Sequence, residues 1–217
     1  MNGKRKTLIL SIMAVMVVVL LGIAGYYWYN NETYVSTEDA RVTGDLVKVV
    51  PQISGKLLEF DVEEGDQVIK DQILGHQEAL NLPDSSVEQS VFRAPINGTV
   101  IKRQGNVGEV TSAGQTLALL VDPLKLYVSA NIEETKLGKL QVGQKVDIEV
   151  DEFSGKKLSG KVKSIGQASN STFSLLPTST SGTFTKVVQR VPVKIEFDKI
   201  DVKLLPGTNA VIKIHIR

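Results

Sequence analysis

The sequence predicts a mainly β protein behind one N-terminal transmembrane helix. Three observations carry that expectation. Residues 8–29, LILSIMAVMVVVLLGIAGYYWY, hold no charge. A 22-residue element occurs twice without a gap, as ISGKLLEFDVEEGDQVIKDQIL at 53–74 and INGTVIKRQGNVGEVTSAGQTL at 96–117. After residue 124, apolar and polar residues alternate along four stretches.

The uncharged run is long enough for a helix to cross a hydrocarbon layer of about 30 Å, which takes about 20 residues. Lys4, Arg5 and Lys6 precede it, and Tyr26, Tyr27, Trp28 and Tyr29 end it. Basic flanks stay cytoplasmic and amphipathic rings favour the membrane interface. Residues 1–7 are therefore expected inside the cell, 8–29 as an anchor, and the remainder outside. A cleaved signal peptide would have a shorter apolar centre and a small-residue cleavage site. Bulky aromatics stand where that site would be, so the run reads as uncleaved. Residues 30–45, NNETYVSTEDARVTGD, are polar without helical periodicity and read as a tether into the first strand.

The rest of the composition is permissive. In 217 residues the net charge is +1, which gives no overall field for nucleic acid. Cysteine is absent, which removes disulfides and thiol chemistry. The exported part is long enough for two small domains, drawn at 46–123 and 124–217.

The first domain is built from the repeat. LVKVVPQI, at 46–53, is β-branched but interrupted by Pro51, which suits an edge or bent strand. In the two copies Gly55 matches Gly98, Gly65 matches Gly108, and Asp66 meets Glu109. The four glycines read as structural turn positions, since Gly reaches positive φ without a Cβ clash, and an acidic neighbour can bond the turn amides. One hairpin buries too little to be stable alone, so two half-motifs facing each other should close a small sandwich.

The second domain reads as an antiparallel β-barrel. LYVSANI (126–132), QKVDIEVD (144–151), QRVPVKIEFD (189–198) and AVIKIHIR (210–217) each place β-branched or aliphatic residues on one face. NIEETKLGKL offers Asn131 three residues before Glu134, a capping-box-like start for one short helix. Residues 166–186, GQASNSTFSLLPTSTSGTFTK, form a Ser/Thr-rich loop too long for a compact domain without a role. Phe173, Leu175 and Leu176 inside it are candidate partner contacts, with packing onto the parent barrel as the alternative.

Catalytic patterns are missing. Lipoyl and biotinyl carriers share the pseudo-twofold sandwich and modify a lysine on the turn joining the halves. The connector here, GHQEALNLPDSSVEQSVFRAP at 75–95, contains no lysine. The two histidines, His76 and His215, match no zinc spacing, and the paired acids Glu63–Glu64, Glu133–Glu134 and Asp151–Glu152 are sequence neighbours that point to opposite faces of a strand. No nucleophile elbow, phosphate loop or dinucleotide fingerprint occurs. The expectation is a non-enzymatic protein with no cofactor and no metal.

Taken together, TEDARVTGDLVKVVPQISGKL and FRAPINGTVIKRQGNVGEVTSAGQTLALLVDP look like the two lipoyl half-motifs of the HlyD/EmrA-type membrane fusion proteins, the adaptor subunits of efflux and secretion systems. ANIEETKLGKLQVGQKVDIEVD, FSLLP and FTKVVQRVPVKIEF resemble the barrel of EmrA-like members. The resemblance covers nearly all of 8–217. It implies a lipoyl-like barrel-sandwich hybrid followed by the barrel, an inner-membrane transporter as partner, and a homo-oligomer. EmrA-like features favour a major facilitator drug:proton antiporter, with an ABC exporter as the other possibility. Typical members insert a long α-helical hairpin between the half-motifs. Ten residues per arm would reach only about 15 Å, so this chain reads as a short form suited to a Gram-positive-type envelope. The competing class is a membrane-anchored envelope module with no transporter.

Overall fold

A computed structural model describes residues 3–78, 88–153, 155–169 and 188–216; within the N-terminal helix the described side chains are those of 11–27, 32 and 33. The chain divides into two compact units. One holds residues 1–41, 128–199 and 209–217; the other holds 42–127 and 200–208.

In the first unit, helix α1 spans Gly3–Thr33 and strand β1, Tyr34–Thr43, follows with no residue between. The expected tether is therefore helix and strand. The polar appearance of β1 has a physical cause. Its buried residues are Val35, Ala40 and Val42, and a bulge between Thr37 and Ala40 breaks the period of two. An extra residue in one strand shifts every side chain after it to the other face.

The other barrel strands are β10 (Tyr127–Glu133), β11 (Lys145–Val150), β12 (Lys157–Ile165), β13 (Arg190–Phe197) and β14 (Asn209–His215). They close in the order β1-β10-β13-β12-β11-β14. Closure removes the exposed edges that a six-stranded sheet would otherwise present. Inward alternation is regular on β10, β11, β13 and β14, where Val128, Ile132, Ile148, Ile195, Ile212 and Ile214 have at most 1% exposure. Ile216, expected inward, lies beyond the end of β14 and is half-buried. Strand β12 was not legible because one of its inward positions is Gly160. A Cβ there would lie 2.5 Å from the Glu196 carbonyl oxygen and 2.9 Å from the Ile148 side chain. A short helix α2, Glu134–Leu137, follows β10, but its N-cap is Glu133 and makes no side-chain capping bond. Asn131 sits within β10 instead and donates to Asp39 at 3.1 Å.

The second unit is the sandwich. Its strands are β2 (Val47–Val49), β3 (Gly55–Phe60), β4 (Gln67–Val68), β5 (Ile73–Gln77), β6 (Val91–Arg93), β7 (Gly98–Arg103), β8 (Val110–Thr111) and β9 (Ala118–Val121). Two sheets form, β2-β9-β7-β4 and β6-β5-β3-β8. Strand β2 is an edge, as Pro51 predicts. The connector is shorter than 75–95. Gly75–Gln77 and Val91–Arg93 are strand, which leaves 78–90 as the link. Gly75 permits this pairing, since a Cβ there would lie 2.1 Å from the Glu59 carbonyl oxygen.

Ile53 falls on Ile96, and the same offset of 43 residues relates backbone hydrogen bonds across the sandwich. Gly65 N donates to Val100 O and Gly108 N to Leu57 O; Asp71 N donates to Ala94 O and Gly114 N to Pro51 O. Lys70 N donates to Asn97 Oδ1 at 2.7 Å, and its mate Ala113 N to Ser54 Oγ at 3.2 Å. Leu57, Phe60, Leu74, Phe92, Val100, Leu117 and Leu120 fill the shared core. Burying each such side chain stabilises by roughly 1.5–3 kcal/mol, which neither half could gain alone.

The four repeat glycines divide into two kinds. Gly65 and Gly108 have φ of 99° and 91°, the left-handed region. Gly55 and Gly98 begin strands without positive φ; an added Cβ would lie 2.3 Å from the Glu78 carbonyl oxygen and 2.5 Å from that of Val121. Their role is close approach of neighbouring backbone rather than turn conformation.

Candidate functional site

The barrel rim where α1 ends collects several strand ends and turns. β1 runs antiparallel to β14, with Tyr34 opposite His215, and Ile216 N donates to Thr33 O at 2.9 Å. β11 follows antiparallel, Val146 opposite Ile214, which brings the turn preceding Lys145 to the same rim. β12 ends there at Ile165 and β13 starts there at Arg190, since Ile165 pairs with Val193. α2 joins them through Glu134 N, which donates to Gln189 O at 2.9 Å.

Side chains fasten this rim to the helix end. Lys139 Nζ lies 3.5 Å from Glu32 Oε1. Lys213 Nζ stands 4.9 Å above the Tyr34 ring, and the Tyr34 and His215 rings meet edge-on with centroids 4.9 Å apart. His215 Nε2 lies 2.9 Å from Asp147 Oδ2. His215 is thus half-covered by an aromatic ring and a carboxylate.

Above the rim, the β1 bulge aims Asp39 at Arg190 and Asn131. The Arg190 guanidinium and the Asp39 carboxylate form an ion pair, and the Thr37 hydroxyl donates to Asn131 O at 3.1 Å. Burial works to raise the Asp39 pKa, but hydrogen bonds from Asn131 and Arg190 and the charges of Arg190 and Arg41 outweigh it. The carboxyl lies below its ordinary 3.8. The flanking groove, lined by Ser36, Thr37, Glu38, Glu133 and Arg190, mixes both charge signs and is open. Asp39 and Arg190 are 151 residues apart, so no local pattern announces the pair.

Elsewhere the chemistry is sparse. Among the described residues no group of three His, Asp or Glu side chains converges on a metal site. His76 is not in a loop but on β5, paired with Glu59 at 2.9 Å. Burial, then the nearby Asp45 carboxylate, pushes the Tyr127 hydroxyl pKa above its ordinary 10.0. Phe173, Leu175 and Leu176 lie outside the described residues, as does most of the 166–186 loop that holds them. The loop's two flanking strands both meet the α1 rim.

The described apolar stretch of α1 is exposed. The described apolar side chains from Ile12 to Ile23 include Met13 at 56%, Val18 at 68% and Leu21 at 67% exposure. Among the residues with described side chains, no helix is long and apolar enough to cross a membrane.

Comparison with known proteins assigns both units. A family model for the YhbJ barrel-sandwich hybrid domain matches residues 45–122, and one for the AAEA-like β-barrel domain matches 125–215. YhbJ of Bacillus subtilis (strain 168), described provisionally as an efflux system component, is 39% identical over 216 residues, 99% of this chain and 94% of that protein. The colistin resistance protein EmrA of Acinetobacter baumannii is 34% identical over 142 residues, which span 64% of this chain and 40% of that one. Of solved structures, the periplasmic adaptor EmrA matches with TM-score 0.58 at 17% identity, over 84% of this chain and 98% of that one. The membrane fusion protein Spr0693 of Streptococcus pneumoniae matches with TM-score 0.62 at 17% identity, over 83% and 97%. These structural likenesses establish the fold; the end-to-end match to YhbJ, with both domain models in order, establishes kinship. Such adaptors are generally non-enzymatic. The chain belongs to the EmrA/YhbJ-type membrane fusion proteins, the adaptor subunits of efflux systems.

Proposed function

We propose that the chain is a membrane-anchored, non-catalytic adaptor that sits on the outer side of an inner-membrane transporter and assists export. The observation that carries this reading is α1. Its sequence is uncharged from 8 to 29, its described apolar side chains from Ile12 to Ile23 are exposed, and it continues directly into the barrel. An apolar helix of that length with no protein cover has lipid as its natural solvent. The basic N-terminal flank supports a cytoplasmic N-terminus, with sandwich and barrel outside.

The transporter supplies the energy, and the adaptor supplies a collar, as a homo-oligomer, over the exit. A major facilitator drug:proton antiporter is favoured as partner by the EmrA-like barrel, and the short 78–90 link suits an envelope with no outer-membrane channel to reach. Phe173, Leu175 and Leu176 are the candidate contacts with the transporter, a reading supported by the described strands on either side, which end at Ile165 and begin at Arg190 on the α1 rim.

Deleting the gene should sensitise cells to toxic amphiphiles, and the tagged full chain should co-purify a transporter from mild detergent. Unchanged resistance together with no co-purifying transporter would sink the adaptor reading. The class of transporter recovered decides between an antiporter and an ABC exporter.

A further inference from the structure

We propose that the α1-side rim of the barrel lies in the outer headgroup layer of the membrane, with the turn Leu140–Gln144 dipping into it and Val142 at its tip. This rests on the reading of α1 as a membrane span, and length decides it. The aromatic cluster at 26–29 belongs at the interface. α1 then has only residues 30–33 left before β1 begins at Tyr34. At 1.5 Å per residue those four add about 6 Å. The headgroup layer on each side of the hydrocarbon is itself about 5–8 Å thick. The barrel has no room to stand clear of it. A flexible tether would have allowed any distance, but continuous helix and the bond from Ile216 N to Thr33 O do not.

The turn is built to hold its tip rigidly. Gln141 N donates to Gln144 Oε1 at 2.9 Å, and Gly143 takes a φ of 92°. Gln144 Nε2 also donates toward Lys139 O at 3.2 Å and Ile216 O at 3.5 Å, which ties the turn to the helix end. Val142 is left 66% exposed at the apex. A small apolar tip costs nothing among headgroups and acyl boundaries, whereas in water it is merely tolerated. Nearby, Tyr34 places an aromatic ring at the same rim. The rim's charges are mixed, with Lys139 facing Glu32, Lys136 facing Glu133 and His215 facing Asp147. An anionic-lipid site would instead cluster unpaired basic residues. The fitting surface is therefore a zwitterionic or mixed headgroup layer, not a specific acidic lipid.

The chain has no cysteine, so single thiols can be placed at will. Three full-length variants carry an environment-sensitive fluorophore at Val142→Cys, at Val18→Cys in α1, and at Lys156→Cys on the opposite rim. Each is reconstituted in phosphatidylcholine vesicles with lipids spin-labelled at the headgroup or near the bilayer centre. The expected result is a several-fold loss of emission at 142 with the headgroup quencher, a comparable loss at 18 with the deep quencher, and little at 156. Quenching at 18 without quenching at 142 overturns the proposal and leaves a protein partner as the occupant of the rim. No quenching at 18 overturns the span itself, and this proposal with it.

Discussion

At the offset of 43 residues, Gln77 and Thr111 in one place become Leu120 and Val68 in the other. Gln77 is 2% exposed and Thr111 is fully buried. Gln77 Nε2 donates to Ile53 O at 2.7 Å, and the Thr111 hydroxyl lies 3.2 Å from Gln77 Oε1 and 3.3 Å from Gly55 O. Leu120 and Val68 are buried apolar residues of the shared core. The two halves thus keep one backbone and fill equivalent places with opposite chemistry. The polar solution stands where β5 leaves for the link between halves, where Ile53 O would otherwise be an unpaired acceptor. Backbone hydrogen bonds carry the symmetry, and side chains adapt to what enters or leaves each half.

That comparison can be broken most severely at the glycines. Gly55→Ala and Gly98→Ala each drive a Cβ into a backbone carbonyl, and each should cost about 3 kcal/mol. Gly65→Ala and Gly108→Ala meet open space but force a left-handed backbone, and should cost only about 1–2 kcal/mol. Thermal unfolding of the four variants should therefore sort by position in the motif, not by half. Sorting by half would mean the halves do not share one cooperative core.

An intermediate effect is expected at the polar pair. Gln77→Leu strands the Ile53 carbonyl and should cost about 1–3 kcal/mol. Adding Thr111→Val converts this place to the chemistry of its mate and should recover part of the loss, since two apolar partners can replace a hydrogen-bonded pair. If the double variant is less stable than the sum of the single ones, the polar pair is not interchangeable with Leu120 and Val68.

The smallest effect sharpens the comparison. Asp71 has φ 66°, and its mate Gly114 has φ 81°. Asp71→Gly should raise stability by about 0.5 kcal/mol, the relief of a strained residue less the added freedom of the unfolded chain. Gly114→Asp should lower it by a similar amount. Denaturant midpoints of the two variants moving in the same direction would contradict the equivalence.

Much of the fold was legible because its signals are local. The repeat 53–74 and 96–117 encodes matched turns, and β11 and β14 advertise their inner faces through strict alternation. Two barrel strands escaped for equally specific reasons. The bulge in β1 splits its buried residues into Val35 and then Ala40 and Val42, which made a barrel strand look like a tether. In β12 an inward glycine removed the apolar mark where Glu196 and Ile148 crowd in. The Asp39–Arg190–Asn131 cluster was illegible because its members come from three strands that only closure brings together.

The sequence by itself determined the class: an uncharged helix, a duplicated half-sandwich without a carrier lysine, and an alternating barrel. Periodicity and turn chemistry act over a few residues, so they are written where they operate. Only the tertiary structure decided that α1 meets the barrel with no slack, that the ends of β12 and β13 share that rim, and that Gly55 and Gly98 serve close approach. Those facts depend on which distant strands pair. Pairing is chosen by burying the whole core at once, a sum over residues far apart in the chain that no short stretch can record.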